Sequence, residues 1–188
     1  CSGACTVESG WHCFGNVGTT TQSFCAEPRT YIPVQGTVYI SSAVPVYLDC
    51  DVECSGTDCS VQIQAPAVGI SPTSVISGTE LLINSNFLHM ESGSVLKASG
   101  TGNALVGQGQ GGDGGGGYGG NGGGGGSSGG SAHGEPTTPT DEGSPGGGGE
   151  SAAGKGGGKI RIQTAEALYV ADGAVVNCDG ADAQGSGG

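Results

Sequence analysis

From residue 38 onward the chain alternates short apolar runs with polar punctuation. The runs cover residues 38–40, 44–48, 61–63, 68–70, 75–76, 81–83, 87–90 and 95–96, and they are rich in β-branched residues and bounded by Gly, Ser, Pro or Asn. No window holds the 3.6-residue period over the ten or so residues that a helix requires, and Gly or Pro interrupts nearly every stretch. The pattern predicts an all-β chain.

An internal repeat sharpens that expectation. Residues 82–100 (LINSNFLHMESGSVLKASG) match residues 162–180 (IQTAEALYVADGAVVNCDG) at a constant offset of 80 with no gap. Leu82 falls on Ile162, Leu88 on Leu168, Met90 on Val170, Val95 on Val175, Ala98 on Cys178 and Gly100 on Gly180, and the turn Ser92-Gly93 falls on Asp172-Gly173. Each unit reads as about 20 residues of three short strands joined by tight turns, the size of one coil of a parallel β-helix. In such a solenoid equivalent positions stack about 4.8 Å apart. A single coil cannot bury its inward face, whereas stacked coils do. A chance match between two strand-turn-strand segments of a β-sandwich is the competing reading. It gives no reason for a gap-free match.

The intervening stretch, residues 107–158, holds 27 glycines in 52 residues and no Val, Ile, Leu, Phe, Met, Trp or Cys. Alone, such a tract cannot bury enough apolar surface to offset its ordering entropy. If ordered, it must be held by the flanking fold, a neighbouring subunit, attached sugar or glycine chains packed on one another. Without Cβ atoms, chains in the polyproline-II conformation can approach closely and hydrogen-bond laterally; a flexible spacer is the plainer alternative. Tyr118 is the aromatic that could anchor it. The expected organisation is a Cys-rich cap (1–30), β-helix coils (31–106), a long ordered Gly-rich insertion (107–158) and a further coil (159–188) that continues or ends at a processed end.

Charge and cysteine content narrow the setting. Seventeen acidic residues against five basic give a net charge of −12. Arg29, Lys97, Lys155, Lys159 and Arg161 are too scattered to track phosphates, which argues against nucleic acid as a partner. No apolar run approaches the length of a membrane span. Eight cysteines, Cys1, Cys5, Cys13, Cys25, Cys50, Cys54, Cys59 and Cys178, point to disulfides and an oxidising, extracellular compartment. Cys178 is expected to bridge to the 50–59 cluster. The only Met is Met90, so the numbering is expected to begin at a processed end or inside a longer chain. No Asn-x-Ser/Thr sequon occurs; Thr137, Thr138 and Thr140 form the best O-glycosylation candidate, with Thr19 to Thr21 second.

Candidate chemistry is thin. Cys50, Cys54 and Cys59 have the wrong spacing for zinc, and His12, His89 and His133 are dispersed. Gly109-Gln110-Gly111-Gly112-Asp113 is like the calcium β-roll nonapeptide but has Gly115 where that motif needs an apolar residue; no cofactor is expected, with calcium at most loosely held at Asp172, Asp179 or Asp182. Asp49 and Asp51 are the closely spaced carboxylates on one side of a strand, but no Arg or Lys accompanies them. Gly154-Lys155-Gly156 lacks the strand, Ser/Thr and helix of a P-loop. No catalytic residue is assigned, and a non-enzyme is expected.

The runs GGDGGGGYGGNGGGGG and EPTTPTDEGSPGGGG, followed by GGGKIRIQTAEALYVADGAVVNCDGADAQGSGG, resemble glycine-rich β-helical extracellular structural proteins of protists. The likeness is greatest to mastigoneme (flagellar hair) shaft proteins of heterokont algae and water moulds, and it spans residues 79–188. It implies a secreted, polymerising, often glycosylated structural protein with cysteine-rich modules of epidermal-growth-factor type. The expected function is therefore a structural subunit of an extracellular filament or cell-surface hair, with copies of itself or related subunits as partners. The alternatives are a carbohydrate-binding or adhesive module, with glycans as partners, and a polysaccharide-degrading β-helix enzyme. An ice-binding face would need a threonine ladder that the repeat does not supply.

Overall fold

Most strands of this chain pair in parallel. The computed structural model describes residues 12–15, 23–26, 28–29, 34–55, 59–101, 116–117, 121–124, 128–135, 140–147 and 154–181; for residues 12–35 and Ser55 only the backbone is described. Thirteen strands are assigned among these residues: β1 (His12–Gly15), β2 (Ser23–Ala26), β3 (Pro28–Arg29), β4 (Val34–Gln35), β5 (Val38–Ser41), β6 (Val46–Leu48), β7 (Val52–Ser55), β8 (Ser60–Ile70), β9 (Val75–Ser77), β10 (Glu80–Met90), β11 (Val95–Lys97), β12 (Lys159–Val170) and β13 (Val175–Asn177). No helix occurs among the described residues.

Two sheets carry the fold. One has the order β12-β10-β8-β6-β3, with β5 also on β8, and the other has the order β13-β11-β9-β7-β4. From β3 onward successive strands alternate between the sheets, except that β5 and β6 both pair with β8, and a third, two-stranded sheet is the antiparallel pair β1-β2. Pairing is parallel for β3-β6, β4-β7, β5-β8, β6-β8, β7-β9 and β9-β11. Val95 lies opposite Val75, and the Val95 N–H donates to Ser74 O. The same bond recurs from Val175 N–H to Ser94 O, and from Ala171 N–H to Met90 O. The two segments matched in sequence are therefore neighbours in both sheets.

The repeat differs from expectation in two ways. Each unit holds one long and one three-residue strand rather than three short ones: the runs 61–63 and 68–70 belong to β8 alone, and 81–83 and 87–90 to β10 alone. The alternation of buried and exposed positions stops at residues 67–70 and 87–90, which are all buried. A strand covered on both faces need not alternate. In addition, the match is not free of gaps. Lys159 N–H donates to Thr79 O, which places Lys159 opposite Glu80, whereas Ala171 lies opposite Glu91. From 159 to 171 is 12 steps and from 80 to 91 is 11, so β12 carries one extra residue. Its exposure alternates up to Thr164 and then gives two exposed positions in succession, Ala165 and Glu166. That is the signature of a β-bulge. Ile162 consequently faces Ile83, not Leu82, which keeps Ile160 and Ile162 on the half-buried side and Arg161 outside.

By packing, the chain divides into two compact units. The first comprises Cys1–Ser77, Leu81–Lys97 and Arg161–Val176, and the second Gly78–Glu80, Ala98–Ile160 and Asn177–Gly188. The first holds the apolar core. Tyr47, Ala67 and Phe87 are fully buried, with Ala167 packed against them, so large and small side chains alternate from strand to strand. Burial of a large apolar side chain contributes about 1.5–3 kcal/mol. Tyr47 pairs with Gly69 on β8, and its hydroxyl donates to Glu91 Oε1 at 3.2 Å, two strands away.

The second unit is built from backbone. Gly122 N–H donates to Gly130 O, Gly143 N–H to Gly157 O and Gly146 N–H to Gly154 O, while Gly158 N–H reaches Ala98 O and Ala181 N–H reaches Lys155 O. A Cβ on Gly156 would overlap the Gly143 carbonyl, and one on Gly157 the Cys178 carbonyl. Of the supports anticipated for the glycine tract, packing of glycine segments on one another and on flanking residues is thus present.

Candidate assembly surface

β12 and β13 are the last strands of their sheets, and several of their aliphatic side chains repeat positions that are buried in β10 and β11. Leu168 is 49% exposed where Leu88 is 0%, and Val176 is 47% exposed where Leu96 is 0%. Tyr169, Val170 and Val175 are likewise exposed. Tyr169 stands edge-on to the buried His89, with ring centroids 4.9 Å apart and planes at 69°. The turns between these strands align as well. Ser74, Ser94 and Ala174 N–H groups each donate to the carbonyl three residues back, and Gly93 and Gly173 sit at φ of 92° and 85°. A φ above zero at the third turn position is what a type II turn requires. A Cβ on Gly93 would also meet Pro72 O at 2.6 Å.

An uncovered pair of parallel edges with aliphatic side chains is a template for more strand. The edge also carries restraint. The bulge at Ala165–Glu166 and the exposed charges of Arg161 and Glu166 interrupt regular pairing along β12, so a partner must match an irregular register.

The residues singled out from the sequence disperse. Cys54 and Cys59 form a disulfide with Cα atoms 5.6 Å apart. Cys178 is not bridged to that cluster, contrary to expectation. Although the residue is exposed, burial around its thiol raises its pKa, only partly offset by a backbone hydrogen bond at Ile160, and the Asp179 carboxylate adds to the rise. A protonated thiol is a poor nucleophile and metal ligand. Cys13 and Cys25 are opposite one another in the β1-β2 register. Cys1, Cys5, Thr137, Thr138 and the Thr19 to Thr21 run lie outside the described residues; Thr140 is exposed, and its carbonyl accepts from Lys159 Nζ at 3.0 Å.

Asp49 and Asp51 occupy the turn between β6 and β7 rather than a strand. Asp51 Oδ1 accepts from Val75 N–H at 2.9 Å, a structural task. Among the described residues no group of three or more His, Cys, Asp or Glu side chains is arranged to hold a metal ion, and no helix is long and apolar enough to cross a membrane. Ser144 Oγ and His133 Nε2 lie 3.3 Å apart and tie two glycine-tract segments together.

Two features escaped the sequence reading. One is residues 62–80, a further copy of the repeat: its turn, Ser71-Pro72-Thr73-Ser74, lacks the glycine that marks the others. The detectable signal was the pair of serines, since Ser74 and Ser94 are both fully buried and their hydroxyls bond to Leu48 O and Glu91 O. The other is the buried Tyr47–Glu91 contact. Comparison with protein-family models, curated proteins and solved structures returned no match.

Proposed function

We propose that this chain is a non-enzymatic structural subunit of an extracellular filament or cell-surface hair, similar in kind to mastigoneme shaft proteins. In this reading the two parallel sheets are faces of one β-helix, and the glycine-packed unit is its long insertion. Copies add at the β12/β13 end. The supporting observation is the set of aliphatic side chains on those strands, exposed at register positions buried in the strands beneath. The cysteine content supports an oxidising setting. Joining open edges head to tail generates a filament.

Electron microscopy and size-exclusion chromatography of the native chain test this. The expected result is a concentration-dependent polymer that Leu168→Asp with Val176→Asp dissolves while leaving the circular-dichroism spectrum unchanged. A monomer that persists at high concentration overturns the reading.

A further inference from the structure

The outward face of the larger sheet carries a row of neutral hydrogen-bonding side chains. Ser41 lies opposite Gln64. Gln64 lies opposite Asn84, since β8 and β10 are both 11 residues long and Glu91 N–H bonds to Ile70 O in the 20-residue register. Asn84 lies opposite Gln163, four residues on from the Glu80–Lys159 pairing. All four are exposed, at the spacing of adjacent strands, so the row extends about 14 Å.

Two further observations set this row apart from an ordinary solvated face. First, no side-chain hydrogen bond engages Gln64, Asn84 or Gln163, so three amides offer all their donors and acceptors outward. Stacked amides commonly bond to one another along such a row; these do not. Second, Tyr39, one pleat away, is 71% exposed and presents a ring beside the row. Beside the row on β12 stand two exposed charges of opposite sign, Arg161 and Glu166.

We infer that this face binds an extended neutral polysaccharide. A protein partner wants several aromatic or aliphatic anchors at the centre of its footprint, and here there is a single ring. A nucleic acid wants several cations, and beside the row there is one, Arg161, with the carboxylate of Glu166 on the same strand. A hydroxyl-rich chain of repeating sugars matches evenly spaced amides, with Tyr39 as the apolar platform and hydroxyl handle for one ring. Of the row only Gln163 lies on the edge strand β12, and Tyr39, Gln64 and Asn84 lie on β5, β8 and β10, so the inference is separable from assembly.

The test is retention of the full chain on insoluble cellulose, chitin and β-1,3-glucan, at low and high salt. Retention on at least one is expected, insensitive to salt. Tyr39→Ala should weaken it about tenfold, and Gln64→Ala with Asn84→Ala more. These side chains are exposed, so thermal unfolding should be unchanged. Leu168→Asp with Val176→Asp, the assembly variant, should bind as the parent does. No retention on any of the three, retention lost in high salt, or retention indifferent to the Gln64/Asn84 variant overturns the inference.

Discussion

Glycines in this chain are not interchangeable, and the distinction is steric. A Cβ at Gly156 would overlap the Gly143 carbonyl, a backbone atom that cannot turn aside, whereas one at Gly123 would meet nothing within 4 Å. Gly156→Ala should therefore destabilise the glycine-packed unit by about 2 kcal/mol, as overpacking does. Gly123→Ala should stay within about 0.5 kcal/mol of the parent. Hydrogen exchange at the Gly143 and Gly146 amides reads the difference; equal protection in both variants contradicts the packing described. At the same scale, burial pushes the Tyr47 hydroxyl well above its ordinary pKa of 10.0, and the charge of Glu91 and its hydrogen bond reinforce the rise. The unfolded chain thus loses this proton at lower pH than the folded one. Its contribution is fully present below pH 10 and is lost as pH climbs from there toward the folded value. Tyr47→Phe should flatten the fall of stability above about pH 10, measured by denaturant unfolding along a pH series. An unchanged slope would mean that Tyr47 titrates normally.

At the scale of strands, the chain's own periodicity foretold most of the fold and missed its irregularities. The all-β class and the side-by-side placement of segments 82–100 and 162–180 were legible, because apolar positions and turn glycines recur together at Gly93 and Gly173. The bulge in β12 was hidden, because Leu82 and Ile162 are both aliphatic and a one-residue shift costs the alignment nothing. Only the environment of Arg161, which a constant offset would turn toward the buried side, discriminates the registers. Strand length was hidden too, because Asn84 and Asn86 read as breaks and are instead outward positions of one continuous strand. The candidate sites were legible only in part, since the amide row and the aliphatic edge depend on which strands lie adjacent. One deletion separates the registers. Removing Ala165 should convert β12 to the length of β8 and β10, with a folded product of near-parental stability. Removing Asn84 from β10 moves its apolar set to the solvent face and should prevent folding. Circular dichroism and urea unfolding of the two deletions check this; equal tolerance would place no bulge at Ala165–Glu166.

Across the whole molecule, the net charge of −12 must be reconciled with a subunit that adds to copies of itself. Two polyanions repel one another at a distance, and the repulsion is screened within about 8 Å at physiological ionic strength. The short-range attraction proposed here is aliphatic, from Leu168, Val170 and Val176, and salt leaves such burial intact or strengthens it. The two dependences add with the same sign. Raising salt should shift the association equilibrium toward larger species, and lowering pH toward the sequence pI of about 4.2 should act likewise as carboxylates lose charge. An interface held by Arg161 and Glu166 pairing across copies would behave in the opposite way and dissociate in salt. Sedimentation velocity over a salt series at neutral pH decides between them. Growth with salt fits an apolar edge overcoming uniform repulsion, and dissolution with salt would shift the interface from the aliphatic side chains to the charges around the bulge.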